Sequence, residues 1–293
     1  MHTHRPPDAF PVLVWIDGRI LPADSPALSA LDQAYLSGMG AFETLRADAG
    51  VPLFLEAHFD RLATSAECFQ LLPPNIEVIR KGIHELLARQ GLESARIRMT
   101  ISTAGATDGA PFRFGGNVQT TLLAFPIAKV AENPVRIFTA PFRMDSMSPL
   151  AGHKCTSYAL HALAVHHARA AGCDDALMLN HHGDLVSCAT GNLFWVKGGN
   201  LFTPTTDCGC RSGVTRERVM RACERLDLSC TTTRAKSIAV RDADEIFITS
   251  SIRGIAKVLE IDGNPVRSGG FSDRIRASLL LESQAEIRRA EMM

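Results

Sequence analysis

Apolar and polar positions alternate in short bursts from residue 12 onward, and twice the alternation gives way to helical spacing. VLVWI and AFETLRAD are rich in β-branched and aromatic residues and are predicted as strands. Leu55, Phe59, Leu62, Ala66 and Phe69 recur at three- and four-residue intervals, which predicts a helix over 55–71. After Pro73 and Pro74 the same spacing predicts a second helix over 75–90, and ARIRMTIS and NVQTTLLAF resume the alternation as sheet strands. Within AFETLRAD, Glu43 alternates with Phe42, and Phe42 is the expected pocket wall.

The second half begins with a short strand, VRIFTA, and a turn-rich stretch, MDSMSPLAGHK, so residues 128–153 are expected to form an interdomain segment. An Ala-rich helix is predicted over 156–171. Short strands follow at ALMLN, DLVS, NLFWV and NLFT, separated by Gly, Asn and Asp turns. A helix over 214–226, strands IFIT and AKVLEI and a charged carboxy-terminal helix complete the chain. Phe194 and Trp195 alternate within NLFWV and are expected to pack in the core and on a sheet face. The expected division is a small amino-terminal α/β domain over 1–127, the connecting segment, and a larger domain over 154–293. No internal repeat or low-complexity stretch is visible.

Composition narrows the function more than the fold. At 293 residues and 46% hydrophobic content the chain can bury two cores. Its 31 Lys and Arg balance 31 Asp and Glu, so no broad field favours nucleic acid or an anionic membrane, and a small-molecule partner is expected. The opening MHTHRPPDAFPVLVW lacks the charged and then apolar regions of a secretory leader, and no apolar run approaches ~18 residues. A soluble, cytoplasmic protein is expected. The eight cysteines are scattered, with Cys208 and Cys210 at CxC rather than CxxC spacing, which suggests neither a disulfide framework nor zinc. His166 and His167, like His181 and His182, are adjacent and do not face one another, so no metal site is expected.

Four segments carry candidate chemistry. In GHKCTSYALHALAVHHARA, Lys154 lies ahead of the predicted helix with Tyr158 four residues on; a helix dipole or burial would there favour a neutral, nucleophilic amine. Alone, such a lysine reads as a surface charge. In SGVTRERVM, Gly213, Val214 and Thr215 open a helix whose unpaired amides and a hydroxyl would suit a phosphate, although Ser212 or Thr215 as an ordinary N-cap is the plainer account. TSSIRG places Ser250 and Ser251 at a strand end, where serine-rich turns are usually only turns. In HFDRLATSA, Arg61 projects from an amphipathic helix, either solvated or offering a bidentate fork to an anion.

Taken in order, WIDGRILP, LSGMGAFETLR, HFDRLATSA, the lysine segment, GNLFWVKGGNLFTP, SGVTRERVM and DEIFITSSIRGIAKVLEIDG resemble the fold-type IV enzymes that use pyridoxal phosphate (PLP). These are the class IV aminotransferases and aminodeoxychorismate lyase. The resemblance covers nearly the whole chain and implies an α+β, two-domain fold like that of D-amino acid aminotransferase: a small α/β sandwich domain and a larger barrel-like one. It also implies a homodimer with sites between the domains. By the same resemblance Lys154 is the Schiff-base lysine and proton shuttle. Arg61 binds the cofactor's phosphate, Val214 and Thr215 cradle it, Ser250 and Ser251 fall on a second phosphate turn where many relatives carry Thr or Asn, and Tyr158 falls near a tyrosine that in some members bonds the 3′-oxygen.

One position departs from the pattern. Relatives usually carry glutamate five residues before the Asn of NLF, and here that residue is Ser187 before Asn192. A carboxylate there keeps the pyridine nitrogen protonated and the ring electron-withdrawing, whereas a serine can only hydrogen-bond it. Three functions are therefore weighed. The first is a lyase similar to aminodeoxychorismate lyase, favoured by PLAGHKCTSYAL, SCATGNLFWVKGG and SSIRGI. The second is an aminotransferase on D-amino acids, branched-chain amino acids or another small amine. The third is a non-catalytic PLP-binding paralogue, suggested by Ser187 and Ser157 and opposed by the retention of Lys154, Arg61 and Thr215.

Overall fold

In a computed structural model, residues 12–25, 28–103, 112–127 and 134–292 are described. Residues 1–11 of the stretch read for a leader, and 128–133 at the start of the 128–153 segment, lie outside them. The chain divides into two compact units, Met1–Ile127 and Ala128–Met293.

The first unit runs β1 (Leu13–Ile16), β2 (Arg19–Pro22), α1 (Gln33–Ser37), β3 (Ala41–Asp48), β4 (Val51–Pro52), α2 (Leu55–Glu67), α3 (Ile76–Gln90), β5 (Ala95–Thr103) and β6 (Val118–Pro126). Its six strands form an antiparallel sheet in the order β2-β1-β6-β5-β3-β4. The alternation read in the sequence decides which face is buried: Ile97, Met99 and Ile101 on β5 and Leu45 on β3 are wholly inaccessible. Helix α2 packs on β3, and α3 on β1 and β6. Asn75 caps α3 by accepting from the Glu77 amide at 2.8 Å, and Gly91 ends it with φ 64°.

The second unit runs β7 (Val135–Met144), α4 (Ala159–Ala170), β8 (Asp175–Asn180), β9 (Leu185–Cys188), β10 (Asn192–Lys197), β11 (Asn200–Pro204), α5 (Val214–Arg225), β12 (Cys230–Thr233), α6 (Ile238–Arg241), β13 (Glu245–Ser250), β14 (Gly254–Ile261), β15 (Asn264–Pro265) and α7 (Phe271–Glu291). The strand order is β12-β11-β10-β13-β14-β7-β8-β9, with β15 beside β14, and β9 curls back toward β10 and β11 to make a half barrel. One face buries Leu177, Leu185, Leu193, Trp195 and Ile248. The other carries the helices: α5 and α7 cover Phe194 and Phe247, and α4 covers Ala176 and Met178. Phe194 stacks on Phe247 at 5.1 Å and Trp195 on Phe202 at 5.8 Å, so both side chains pack within the sheet's two faces.

Part of the 128–153 segment belongs to the second unit's sheet. Its strand β7 lies inside the second sheet, parallel to both β14 and β8. Six apolar-alternating residues gave no sign of this, because a parallel strand finds its partners far along the chain. No helix among the described residues is long and apolar enough to cross a membrane.

Candidate active site

Of the residues singled out from the sequence, Arg61 lies in the first unit and Lys154, Tyr158, Ser187, Val214, Thr215, Ser250 and Ser251 lie in the second.

Arg61 does not project into solvent. Its fork grips the carboxylate of Glu43, with Nε donating to Oε1 at 2.7 Å and Nη2 to Oε2 at 2.8 Å, and His58 Nδ1 lies 2.8 Å from the same Oε2. Glu43 is wholly buried on the helix-facing side of β3, and His58 and Arg61 reach it from one face of α2, three residues apart. Burial opposes ionisation of Glu43. The Arg61 charge and the hydrogen bonds from His58 and Arg61 outweigh it and hold the carboxyl well below the usual carboxylate range. Phe42 faces the other side, buried under the Arg98 guanidinium at 3.8 Å. The sequence carried a signal for Glu43: a charge on the face that also holds Ala41, Leu45 and Ala47 needs a buried partner.

In the second unit, α4 starts at Ala159, with Tyr158 as its N-cap at φ −108°. Lys154 is therefore in the preceding loop, and the loop rather than helical spacing brings its Nζ to 5.4 Å from the Tyr158 ring centroid. Tyr158 donates its hydroxyl to the Ala189 carbonyl at 3.3 Å and accepts from Arg211 Nη2 at 2.8 Å. Ser187 is buried and pairs directly with Met178, on the sheet face that α4 covers, two residues before Ala189. His161 stacks flat on the Tyr158 ring, centroids 4.2 Å apart.

The opening of α5 adjoins this cluster. Its N-cap position is held by Gly213 rather than by Ser212 or Thr215. A Cβ at Gly213 would collide with Asn192 Oδ1, whose carboxamide donates to the Arg211 carbonyl at 2.9 Å. A side chain at Gly191 would meet the Thr249 carbonyl at 2.6 Å. These glycines let β10, β13 and the α5 threshold close on one another. Asn192 and Thr249 are register partners, so Thr249 shares the α5-facing side, and its buried hydroxyl has no hydrogen-bond partner.

Ser250 ends β13, and its hydroxyl accepts from the Arg253 amide at 3.2 Å, as an ordinary serine turn would. Ser251 follows in that turn. Arg253 then reaches Thr190 Oγ1 at 3.3 Å and the buried Asp175 carboxylate at 3.4 Å. Burial pushes the Asp175 carboxyl up against the hydrogen bonds from Thr190 and Ala176 and the Arg253 charge. Sequence reasoning missed Arg211, His161 and Thr249. Arg211 has no periodic signal at all, whereas Thr249 and His161 sit at positions where alternation or helical spacing marks only a face.

A half barrel flanked by helices beside a smaller α/β unit is the fold of the fold-type IV enzymes. The chain belongs to the class IV amino-transferase family, whose pattern matches residues 40–261. It is 27% identical over 283 residues to aminodeoxychorismate lyase of Bacillus subtilis, covering 94% of this chain and 95% of that one. Among solved structures it is similar to the branched-chain aminotransferase of Thermoproteus uzoniensis with norvaline, at 27% identity and TM-score 0.81, covering 91% and 92% of the two chains. It is also similar to an aminotransferase from Brucella abortus bound to PLP, at 25% identity and TM-score 0.85, covering 93% and 99%.

Proposed function

We propose that this chain is a PLP-dependent aminotransferase that moves the amino group of a small amino acid, branched-chain in the first instance, to a 2-oxo acid. The observation that carries the cofactor reading is the unsatisfied Thr249 hydroxyl on the side of the sheet that faces α5, whose N-cap is Gly213. Buried polar groups are rarely left unpaired, and a helix N-terminus presents backbone amides to an anion, so these residues fit a phosphate. We assign the phosphate to the Val214 and Thr215 amides, the Thr215 hydroxyl, Thr249 and the Ser250–Ser251 turn. Lys154 is assigned the covalent link and the proton that moves at the substrate's α-carbon. When bound, PLP supplies a ring that accepts the electrons left as that proton departs.

The aminotransferase reading takes precedence over the lyase that the lysine segment suggested, because branched-chain aminotransferases recur among the relatives. Ser187 favours the lyase as a second reading: without a carboxylate the ring is a weaker electron sink, and a reaction ending in aromatisation is the more tolerant of that. A homodimer belongs to the same proposal. The exposed Leu28, Tyr35 and Leu36 of the first unit offer it apolar surface.

The deciding assay sets a panel of branched-chain and other L- and D-amino acids with 2-oxoglutarate beside aminodeoxychorismate. Amino transfer from a branched-chain substrate supports the proposal. Formation of 4-aminobenzoate and pyruvate without transfer replaces it with the lyase, and PLP bound with neither activity leaves the paralogue. Borohydride should fix PLP to the wild type and not to Lys154→Ala.

A further inference from the structure

Tyr158 is held between a neutral ring, His161, and two cations, Arg211 and Lys154. His161 covers its ring with planes 6° apart. Burial, and after it the charges of Arg211 and Lys154, push the His161 imidazolium down to about 3, so the stacked ring is uncharged at working pH. Arg211 places a guanidinium against the tyrosine, Nη2 at 2.8 Å from the phenol oxygen and Cζ 5.2 Å from the ring centroid. The Arg211 backbone is itself tied down by Asn192, two residues before the α5 N-cap. Rotation of the guanidinium away from Tyr158 would therefore have to come from its side chain alone.

A phenol that accepts from a guanidinium becomes a stronger donor through its own proton, since charge-assisted bonds polarise the next bond in the chain. At present that proton goes to the Ala189 carbonyl at 3.3 Å, longer than the ~2.7–2.8 Å usual for O–H donors. It can turn to a better acceptor. Ser187, meanwhile, withholds the negative charge that a glutamate would bring to this face, and Arg211 adds a positive one, so the site suits an anionic ring oxygen better than a cationic ring nitrogen.

We propose that Arg211 is a positioning residue: acting through Tyr158, it directs the phenol proton onto the 3′-oxygen of the ring carried by Lys154, and so offsets at that oxygen the carboxylate missing at position 187. This rests on the PLP reading, and nothing in the family resemblance assigns Arg211 a role.

The test is a double-mutant cycle on the PLP-loaded protein with Arg211→Met, Arg211→Lys, Tyr158→Phe and Arg211→Met/Tyr158→Phe, read as the pH midpoint of the bound cofactor's visible absorption. Removing a cation favours the more positive form, so Arg211→Met should raise the midpoint by about one pH unit and Arg211→Lys should restore much of it. With Tyr158→Phe already present, Arg211→Met should add little. An unchanged midpoint in Arg211→Met, or effects that simply add in the cycle, would overturn the proposal even if the melting temperature falls. A second readout does not need the cofactor: in the PLP-free protein, Arg211→Met should raise the His161 ring titration measured by NMR, and an unmoved titration would remove the guanidinium from the cluster. A wild type that takes up no PLP overturns the cofactor reading instead, and the His161 titration still decides whether Arg211 grips Tyr158.

Discussion

Replacing Glu43 with glutamine tests whether the first unit is organised around a buried charge. The substitution keeps the shape of the side chain but removes its charge and turns an amide donor toward donors of Arg61 and His58. Removing one partner of a buried ion pair costs about 3–5 kcal/mol. Because the Arg61 side chain keeps 18% of its exposure while Glu43 has none, part of its charge is resolvated and the lower end applies, about 3 kcal/mol. For a unit of this size that lowers the melting temperature by roughly 11 °C. The pH dependence supplies a second check. The folded-state pKa of Glu43 is held below its ordinary 4.5, so its contribution is complete above that value and is lost as pH falls through the folded-state value. Thermal melts of wild type and Glu43→Gln followed by circular dichroism should thus differ most near neutrality and converge as the pH drops below about 4. Equal melting temperatures at neutrality, or a gap as wide in acid as at neutrality, would refute the reasoning.

Three further outcomes follow from the second unit. Gly213→Ala forces Asn192 or the α5 threshold to move, and should weaken PLP binding about tenfold in a fluorescence titration while costing little in melting temperature. His161 has a depressed folded-state pKa, so the unfolded chain binds its proton first and stability falls as pH drops from about 6.5 toward 3; His161→Gln should flatten that part of the stability profile measured by urea unfolding. Ser187→Glu should raise the rate at which amino acids convert the bound cofactor to its amine form in stopped-flow absorbance, and an unchanged rate would mean that the ring does not lean on position 187.

Strand and helix positions were legible because they obey local rules. The period-2 bursts of β3, β5 and β6 and the 3.6-period faces of α2 and α3 can be read from a few neighbours, since each residue's face depends only on its own element. Lys154 was singled out differently, as one motif among several in a fixed order that resembles a family. What the order could not supply was the company each residue keeps. Glu43 looked like the polar half of an alternation until the helix three turns long that covers it proved to bring His58 and Arg61 to its carboxylate.

The sequence by itself therefore determined most of the elements and the class. Only tertiary structure decided that β7 lies within a parallel stretch of sheet, that Thr249 is left with an unpaired hydroxyl, and that Arg211 and His161 clasp Tyr158. The reason is physical: propensity and periodicity act between residues a turn or a pleat apart, whereas Arg211 and Tyr158 stand 53 residues apart. Their meeting depends on how a half barrel closes, which no local pattern encodes.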